Sequence, residues 1–365
     1  MRRHGRPVLD FVLGKHRQAM PDEVLELLRN ADPNQLVTPC RRAQVETYAE
    51  AASTMLRSVY GTDIAPGSIL PVPGGRPALS LLASTLIRPH DSVIVFDPAY
   101  PAFTRITERL GAKIHGVPLD PDRDLAPNLD VLPPDTVESV RFAALNYPNN
   151  PTGAIIDSEH LDAFLKLLHP EAIVFNDATY GPLTFDEPPW SMLAQPEAVR
   201  HDHRLLELHS LAKLFSVGAI AVSFFAGDEA LIGELRNSSE FVWSNQSRLH
   251  LEVAIYCLGD HDHLAATREI FRDRVRRLEQ TLTALGFEVL HPKSGMYIVC
   301  RVPSAIGGRQ VSGAGAAAKV LLEEHDLAVV PWEVEPHEYL RFSAQYSEKD
   351  LEGLAALGRD GSLLS

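Results

Sequence analysis

No run in this 365-residue sequence approaches the ~20 apolar residues that a membrane-crossing helix needs. The N-terminus reads Met-Arg-Arg-His-Gly-Arg, and no apolar stretch of signal length follows it. Cysteine is scarce. Cys40, Cys257 and Cys300 are odd in number and far apart, and no CxxC pair occurs. That argues against a disulfide framework and gives no support to a zinc site of the CxxC type. Free thiols in a reducing compartment are the expectation. Basic residues are outnumbered, 34 against 48 acidic, for a net charge of -14. Phosphate-backbone binding needs clustered Lys and Arg, so nucleic acid is not an expected partner. A single local pocket for a small anion stays open. Repeats and low-complexity linkers are also absent. These absences describe a soluble, cytoplasmic chain with no membrane or nucleic-acid partner.

What is present is core material. Hydrophobic residues make up 45% and charged residues 22%, enough for a large core, or for one large domain and a smaller one. From Ile69 to Gly227 short apolar runs alternate with helical spacing. The pattern predicts strands at Ser92–Phe96, Lys113–Val117, Arg141–Leu145, Ala172–Asn176, Leu205–His209 and Ala219–Phe225. Most read as buried on both faces, as in a largely parallel sheet. The segment Glu159–Leu168 has helical spacing. Such alternation implies a doubly wound α/β domain. After Glu229 the pattern predicts helices at Leu249–Leu258 and His263–Leu285, and strands at Phe287–Leu290 and Met296–Val302. A helix near Ala314–Glu324, strands at Ala328–Val330 and Tyr339–Ser343, and a last helix from Glu348 complete a smaller α+β domain. The expected division is 41–245 for the large domain, with 1–40 and 246–365 forming the small one.

Two motifs have ordinary readings. Gly313-Ala-Gly315-Ala-Ala-Ala318 fits a loose dinucleotide pattern, and Glu333 stands 20 positions after its first Gly. That pattern also needs a strand directly before it, and here a polar, Gly-rich stretch intervenes. A plain helix start is the better reading. His201-Asp-His203 and His261-Asp-His263 have loop spacing that can hold a metal, but no further ligands accompany them. Solvated loops or helix caps are expected, and no metal.

Four other segments carry chemistry. Gly74-Gly75-Arg76 opens a helix after a short apolar stretch, where free N–H groups attract phosphate. Asn146-Tyr-Pro-Asn149-Asn150-Pro-Thr-Gly153 follows a buried strand, at the end where parallel sheets bind ligands. Asp177 ends the apolar run Ala172–Phe175 and continues to Tyr180. A carboxylate there is costly unless paired. Ser210-Leu-Ala-Lys213 follows another buried strand, which makes Lys213 a candidate nucleophilic amine.

This set resembles the class I and II aminotransferase family of pyridoxal-phosphate enzymes, of fold type I. The match runs in order over Gly74-Gly75, Asp97-Pro-Ala-Tyr100-Pro, Asn149–Gly153, Asp177–Tyr180, Ser210–Lys213, Ser294-Gly-Met-Tyr297 and Arg341, from about Asp63 onward. The resemblance implies a large domain with a mostly parallel central sheet, a smaller α+β domain, and pyridoxal 5'-phosphate as cofactor. It implies that Lys213 holds the cofactor as a Schiff base and moves a proton at the substrate α-carbon. Asp177 would pair with the pyridine nitrogen. Asn150 and Tyr180 would hydrogen-bond the ring's phenolic oxygen, and Tyr100 would stack on its face. Gly74, Gly75 and Ser210 would hold the phosphate, and Arg341 would take the substrate α-carboxylate in a two-point fork. Homodimers with shared active sites are the family habit.

The sequence departs from the family at several points. The usual phosphate-clamping Arg, eight after the Lys, is Ala221, and the usual Gly three after it is Ser216. Arg76 could supply the missing charge. The family's early Tyr is not found in Asn34-Gln-Leu-Val-Thr38, and Lys15-His-Arg17 replaces a small loop near Gly14. Glu240, in Glu240-Phe-Val-Trp-Ser-Asn245, stands where dicarboxylate-specific relatives carry an Arg that binds the distal carboxylate. Such a carboxylate would favour a cationic or polar substrate side chain. The expected function is transfer of an amino group from an L-amino acid to a 2-oxo acid, in keeping with a specialised biosynthetic role. Elimination, replacement, decarboxylation or oxidation on the same cofactor is the alternative. A non-catalytic sensor is a third reading, disfavoured by the retained Lys213 and by the lack of a basic helix-turn-helix segment.

Overall fold

The computed structural model describes residues 2–3, 6–12, 18–37, 40–186, 188–196, 203–220, 222–243, 247–334, 337–358 and 363–364. Its largest sheet has eight strands: β1 (Ile69–Val72), β2 (Ser92–Asp97), β3 (Lys113–Asp120), β4 (Ala126–Pro127), β5 (Phe142–Leu145), β6 (Ile173–Asp177), β7 (Arg204–Ser210) and β8 (Ser223–Gly227). In space the order is β1-β8-β7-β6-β5-β2-β3-β4. The five strands β3, β2, β5, β6 and β7 run parallel. Strands β8, β1 and β4 pair antiparallel at the two sides.

The continuous apolar runs are explained by burial on both faces. Ile94 and Phe96 of β2 join one core layer, where Phe96 meets Phe164 edge-on at 4.9 Å. Val93 and Val95 join the opposite layer with Leu79 and Leu82. Helices α1 (Arg42–Tyr60), α2 (Gly75–Leu86), α3 (Ala102–Arg109), α4 (Ser158–Leu167) and α5 (Glu229–Ser239) accompany this sheet. Asp157 and Asp228 cap α4 and α5 by accepting from His160 and Leu231 N–H groups at 2.8 Å each.

A second sheet has four antiparallel strands in the order β9-β10-β12-β11: β9 (Val289–Leu290), β10 (Tyr297–Arg301), β11 (Val330–Val334) and β12 (His337–Ser343). It lies among α6 (Arg248–Gly259), α7 (His261–Ala284), α8 (Ala314–His325) and α9 (Glu348–Ala356). Helix α6 packs along α1. The early chain joins this part: Leu9–Asp10 pairs parallel with Leu327–Ala328, and Phe11 packs on Phe342 and Tyr346.

Three sequence expectations change. Ile69–Val72 is a strand despite Pro71. It lies at the sheet edge, where a missing N–H breaks no ladder. The run Ala219–Phe225 is strand only from Ser223, because 218–220 form a turn. The strand expected at Ala328–Val330 is two, Leu327–Ala328 and Val330–Val334, which join different sheets.

The two decoy motifs resolve as structure. The Gly313 segment starts α8, and Glu338 accepts from the Ala314 N–H. A Cβ on Gly315 would stand 2.5 Å from Glu333 Oε1. Two carboxylates therefore occupy the helix head, a poor place for pyrophosphate. His203 meets the carbonyls of Pro170 and Leu165, His261 meets that of Leu258, and His263 meets that of Leu214. No group of three or more possible ligands stands together among the described residues. His201 and Asp202 lie outside those residues.

Candidate active site

Strand order locates the site. The chain passes from β2 to β3 on one side, then returns to β5 on the other side of β2. Ligands bind such sheets at the carboxyl ends of the strands where the order reverses. Two loops leave that point. The loop after β2 carries Tyr100, and the loop after β5 carries Asn146, Asn149 and Asn150. Asn146 ties them together: its Oδ1 accepts from the Tyr100 N–H at 3.3 Å and the Asn150 N–H at 3.2 Å. Its Nδ2 donates to the Asp177 carbonyl at 3.0 Å, at the end of β6. A small pocket opens here, lined by Val95, Tyr100, Phe103, Asn146, Phe175 and Asp177.

The Asn149–Gly153 turn is shaped by its neighbours. Thr152 donates its hydroxyl to Asn149 Oδ1 at 2.7 Å, and Asn149 Nδ2 donates to the Pro98 carbonyl at 2.8 Å. Gly153 has φ of +71°, and a Cβ there would come within 2.5 Å of Pro292 and of the Ser294 carbonyl. Only glycine fits this approach.

Lys213 stands three residues past β7. Its ammonium donates to the Tyr180 hydroxyl and lies 4.3 Å from the Tyr180 ring centroid. Asn150 Nδ2 donates to the same hydroxyl at 3.4 Å. Asp177 is half-buried. Its Oδ1 accepts from the Thr179 hydroxyl at 2.6 Å and the Thr179 N–H at 3.2 Å. Burial pushes the Asp177 carboxyl above its usual value, although the Thr179 bonds and the charges of Lys213 and His209 pull the other way. Burial likewise raises the Tyr180 phenol.

Across from this group, Arg341 of β12 lies with its guanidinium carbon 4.3 Å from the Tyr297 ring and 5.3 Å from the Trp332 ring. At the far side, Gly74 adopts φ of +110° at the head of α2, where Gly75 begins the helix. The exposed Arg76 donates from Nε to the Tyr100 hydroxyl at 3.1 Å. Ser210 ends β7 and accepts from the Ser223 hydroxyl at 2.9 Å.

The fold thus brings Lys213, Tyr180, Asn150 and Asp177 together, with Tyr100 linked through Asn146. Glu240 is exposed at the end of α5 and enters none of these bonds. Ala221, Ser244-Asn245 and Lys15-His-Arg17 lie outside the described residues. Ser216, where relatives place Gly, takes φ of +56°. Its hydroxyl donates to the Gln18 carbonyl at 3.1 Å.

Residues 10–356 match the family model described as aminotransferase class I and II. The chain belongs to that family. It is a pyridoxal-phosphate-dependent aminotransferase of fold type I. The LL-diaminopimelate aminotransferase of Methanocaldococcus jannaschii is 28% identical over 368 residues, covering 97% of this chain and 84% of that protein. Transaminase BacF of Bacillus subtilis is 24% identical over 359 residues, covering 96% and 88%. The substrate-bound BacF structure superposes with a TM-score of 0.86 at 22% identity, covering 99% of this chain and 92% of that one. The N-succinyldiaminopimelate aminotransferase of Mycobacterium tuberculosis gives 0.83 at 22% identity, covering 96% and 92%.

Three features of this aminotransferase fit the cofactor. Both Thr179 bonds fall on one oxygen of Asp177, beside a cavity. Asn150 Oδ1 is buried without a hydrogen-bond partner among the described residues. The head of α2, opened by Gly74, offers first-turn N–H groups with no intrahelical acceptor.

Sequence reasoning gave no role to four residues of this neighbourhood. Asn146 opens a segment singled out for following a buried strand, but its ties to Tyr100 and Asp177 reach other elements. Tyr297 lies in a quoted motif, but its partners come from other elements. Glu207 and His209 alternate along β7 and read as ordinary strand residues.

Proposed function

We propose that Lys213 carries the cofactor as an imine and that this chain transfers amino groups from an L-amino acid with a polar or cationic side chain. The contact of the Lys213 amine with Tyr180, beside Asn150 and Asp177, is the observation that carries the reading.

In this reading Asp177 would be the anionic partner of the cofactor's ring nitrogen and would favour its protonated form. Asn150 and Tyr180 hold the phenolic oxygen, and Tyr100 covers the ring face. The N–H groups after Gly74 and Gly75, the Ser210 hydroxyl and Arg76 hold the phosphate. Arg341 grips the substrate α-carboxylate with two parallel N–H groups. The bound cofactor supplies an electron sink for the pair left on the α-carbon. Lys213 would be the group that moves the proton at that carbon. The large domain of this scheme is 41–245, and the small domain is 1–40 with 246–365.

The protein works as a cytoplasmic homodimer in this scheme. Phe241 is 91% exposed and Val242 is 51% exposed on the single chain. Large apolar side chains on a surface suit burial by a second copy. Glu240 beside them would then face the neighbour's substrate. Three unpaired cysteines suit a reducing compartment. The names of the relatives fit a polar substrate side chain, since diaminopimelate carries a second ammonium beside a second carboxylate.

Borohydride reduction of cofactor-loaded protein, followed by peptide mapping, tests the covalent link. Label on Lys213 supports it, and an unlabelled Lys213 rejects it. A panel of LL-diaminopimelate, lysine, arginine, neutral and acidic amino acids, each with a 2-oxo acid, tests the donor. Turnover of aspartate or glutamate far above the rest rejects the role given to Glu240.

A further inference from the structure

The second histidine of His261-Asp-His263 meets the segment that carries Lys213. His263 stands in the first turn of α7. Its backbone N–H donates to Asp260 Oδ1 at 3.0 Å, and Asp260 Oδ2 accepts from the Tyr256 hydroxyl at 3.0 Å. A side-chain cap braced in this way fixes the start of the helix, and with it the direction in which His263 leaves the backbone.

The imidazole lies against the turn just after Lys213. Its ring stacks on the Phe215 ring, with centroids 4.4 Å apart and planes inclined by 28°. Its Nε2 is 3.0 Å from the Leu214 carbonyl oxygen. A carbonyl only accepts, so Nε2 carries the proton and donates it. Leu214 and Phe215 are both buried.

The turn's own bonds use other carbonyls. The Leu214 and Phe215 N–H groups donate to the Leu211 carbonyl at 2.9 and 3.1 Å, and the Val217 N–H donates to the Ala212 carbonyl at 2.9 Å. Those two acceptors precede Lys213. The Leu214 carbonyl, which follows it, takes its hydrogen bond from α7. On the other side, the Leu211 N–H donates to the Val222 carbonyl at 2.8 Å. The backbone that bears Lys213 is thus fastened to the sheet through Leu211 and to α7 through Leu214. A lysine stem is long and flexible, so its amine is placed only as well as the backbone beneath it. Here the amine is held at the Tyr180 hydroxyl.

We propose that His263 is a positioning residue. Its Nε2–H pins the Leu214 carbonyl, its stack on Phe215 aims the ring, and together they keep the Lys213 amine at Tyr180. The consequence for cofactor fixation rests on the reading in which Lys213 carries the cofactor.

Two substitutions separate donor from ring. His263→Phe keeps the stacking ring and removes the donor. His263→Gln removes the ring and keeps an N–H donor of similar reach. Near-ultraviolet circular dichroism identifies folded variants. His263→Asn, with the same amide on a stem one carbon shorter, replaces the Phe variant if that one does not fold. The first readout needs no cofactor: trace acetylation with acetic anhydride, with label on Lys213 measured against the exposed Lys319 by peptide mapping. The second is the rate at which added pyridoxal 5'-phosphate becomes fixed to Lys213, trapped by borohydride.

Loss of the donor frees the amine and misplaces it. The Phe variant therefore raises the acetylation ratio about threefold to tenfold, the span a single hydrogen bond supports. It slows fixation by a similar factor, because a displaced reacting group meets its partner less often in the right geometry. The Gln variant keeps both quantities within about twofold of wild type. A donor-lacking variant with a wild-type or lower acetylation ratio overturns the proposal. So does a Gln variant that behaves as the Phe variant does. Wild-type Lys213 left unlabelled by borohydride rejects the cofactor link alone, since the acetylation ratio tests His263 without cofactor.

Discussion

Two carboxylates stand on neighbouring strands, one register step apart: Asn176 pairs with Glu207, and Asp177 pairs with Leu208. Their surroundings are opposite. Glu207 is fully buried. Its Oε1 accepts from Asn176 Nδ2 at 2.8 Å and the Met192 N–H at 2.7 Å. Its Oε2 accepts from the Ser191 hydroxyl and lies 3.1 Å from His209 Nε2. Burial pushes this carboxyl up, but His209 and the hydrogen bonds overcome it and leave it below its usual value. Among the described residues Asp177 accepts hydrogen bonds from Thr179 alone, on one oxygen, and burial outweighs these and the charges of Lys213 and His209. Glu207 is satisfied by its own chain. Asp177 is left for a cation from outside, which a pyridinium would supply.

The largest expected effect breaks that asymmetry at Asp177. Asp177→Asn removes the charge and keeps the shape. Turnover falls about 10²–10³-fold, measured as 2-oxo acid formed with saturating amino acid. The melting temperature of the cofactor-free variant matches or exceeds wild type, because an uncompensated buried charge has gone. Activity within a few-fold of wild type would refute the assignment of Asp177.

Glu207→Ala gives the reverse pattern. It strips Asn176, Ser191 and the Met192 N–H of their acceptor and leaves His209 beside an empty place. Breaking a buried, paired charge costs about 3–5 kcal/mol, read as a fall in the urea midpoint. Turnover per folded molecule stays close to wild type. An unchanged midpoint would mean that the pair contributes nothing.

The same two residues predict a pH profile for cofactor-free protein. A carboxyl raised on folding contributes stability below its unfolded pKa of about 3.9 and loses it as pH rises through the folded value. That is Asp177. A carboxyl lowered on folding contributes above its unfolded pKa of about 4.3 and loses it as pH falls through the folded value. That is Glu207. Thermal midpoints from about pH 3 to 7 should therefore fall off on both sides. Asp177→Asn should flatten the upper side, and Glu207→Gln the lower. Loading the cofactor should flatten the upper side in wild type. A profile unchanged by Asp177→Asn would contradict the raised carboxyl.

The contrast also marks what the sequence could reveal. Lys213, Asn150 and Tyr100 lie just past a buried strand and Asp177 ends one, so an apolar run followed by polar residues announces them. Glu207 lies inside such a strand, and its partners come from three elements. Period-2 alternation says which face it takes, but not that Ser191 and Met192 meet it there. Tyr297 is hidden for the same reason, since its partners are on β12 and in the loop after β6. Pro71 concealed β1, because strand propensity assumes a ladder on both sides, and an edge strand has one. Ser216 reads as a lost glycine, and the structure places this serine in the left-handed region that favours glycine.

The smallest expected effect concerns Arg76, where the comparison between satisfied and waiting groups is least sharp. Arg76 is exposed and, among the described residues, has one hydrogen bond, to the Tyr100 hydroxyl. A guanidinium in water keeps most of its hydration, so its attraction for a phosphate is modest and screened. Exposed pairs contribute about 0–1 kcal/mol, so Arg76→Ala should weaken cofactor binding by about fivefold or less. The loss should shrink as salt rises, because screening already removes part of the interaction. Titrating cofactor into the variant at low and high salt measures both quantities. Unchanged affinity at low salt would show that Arg76 does not replace the cation missing at Ala221, and that the head of α2 and Ser210 hold the phosphate without it.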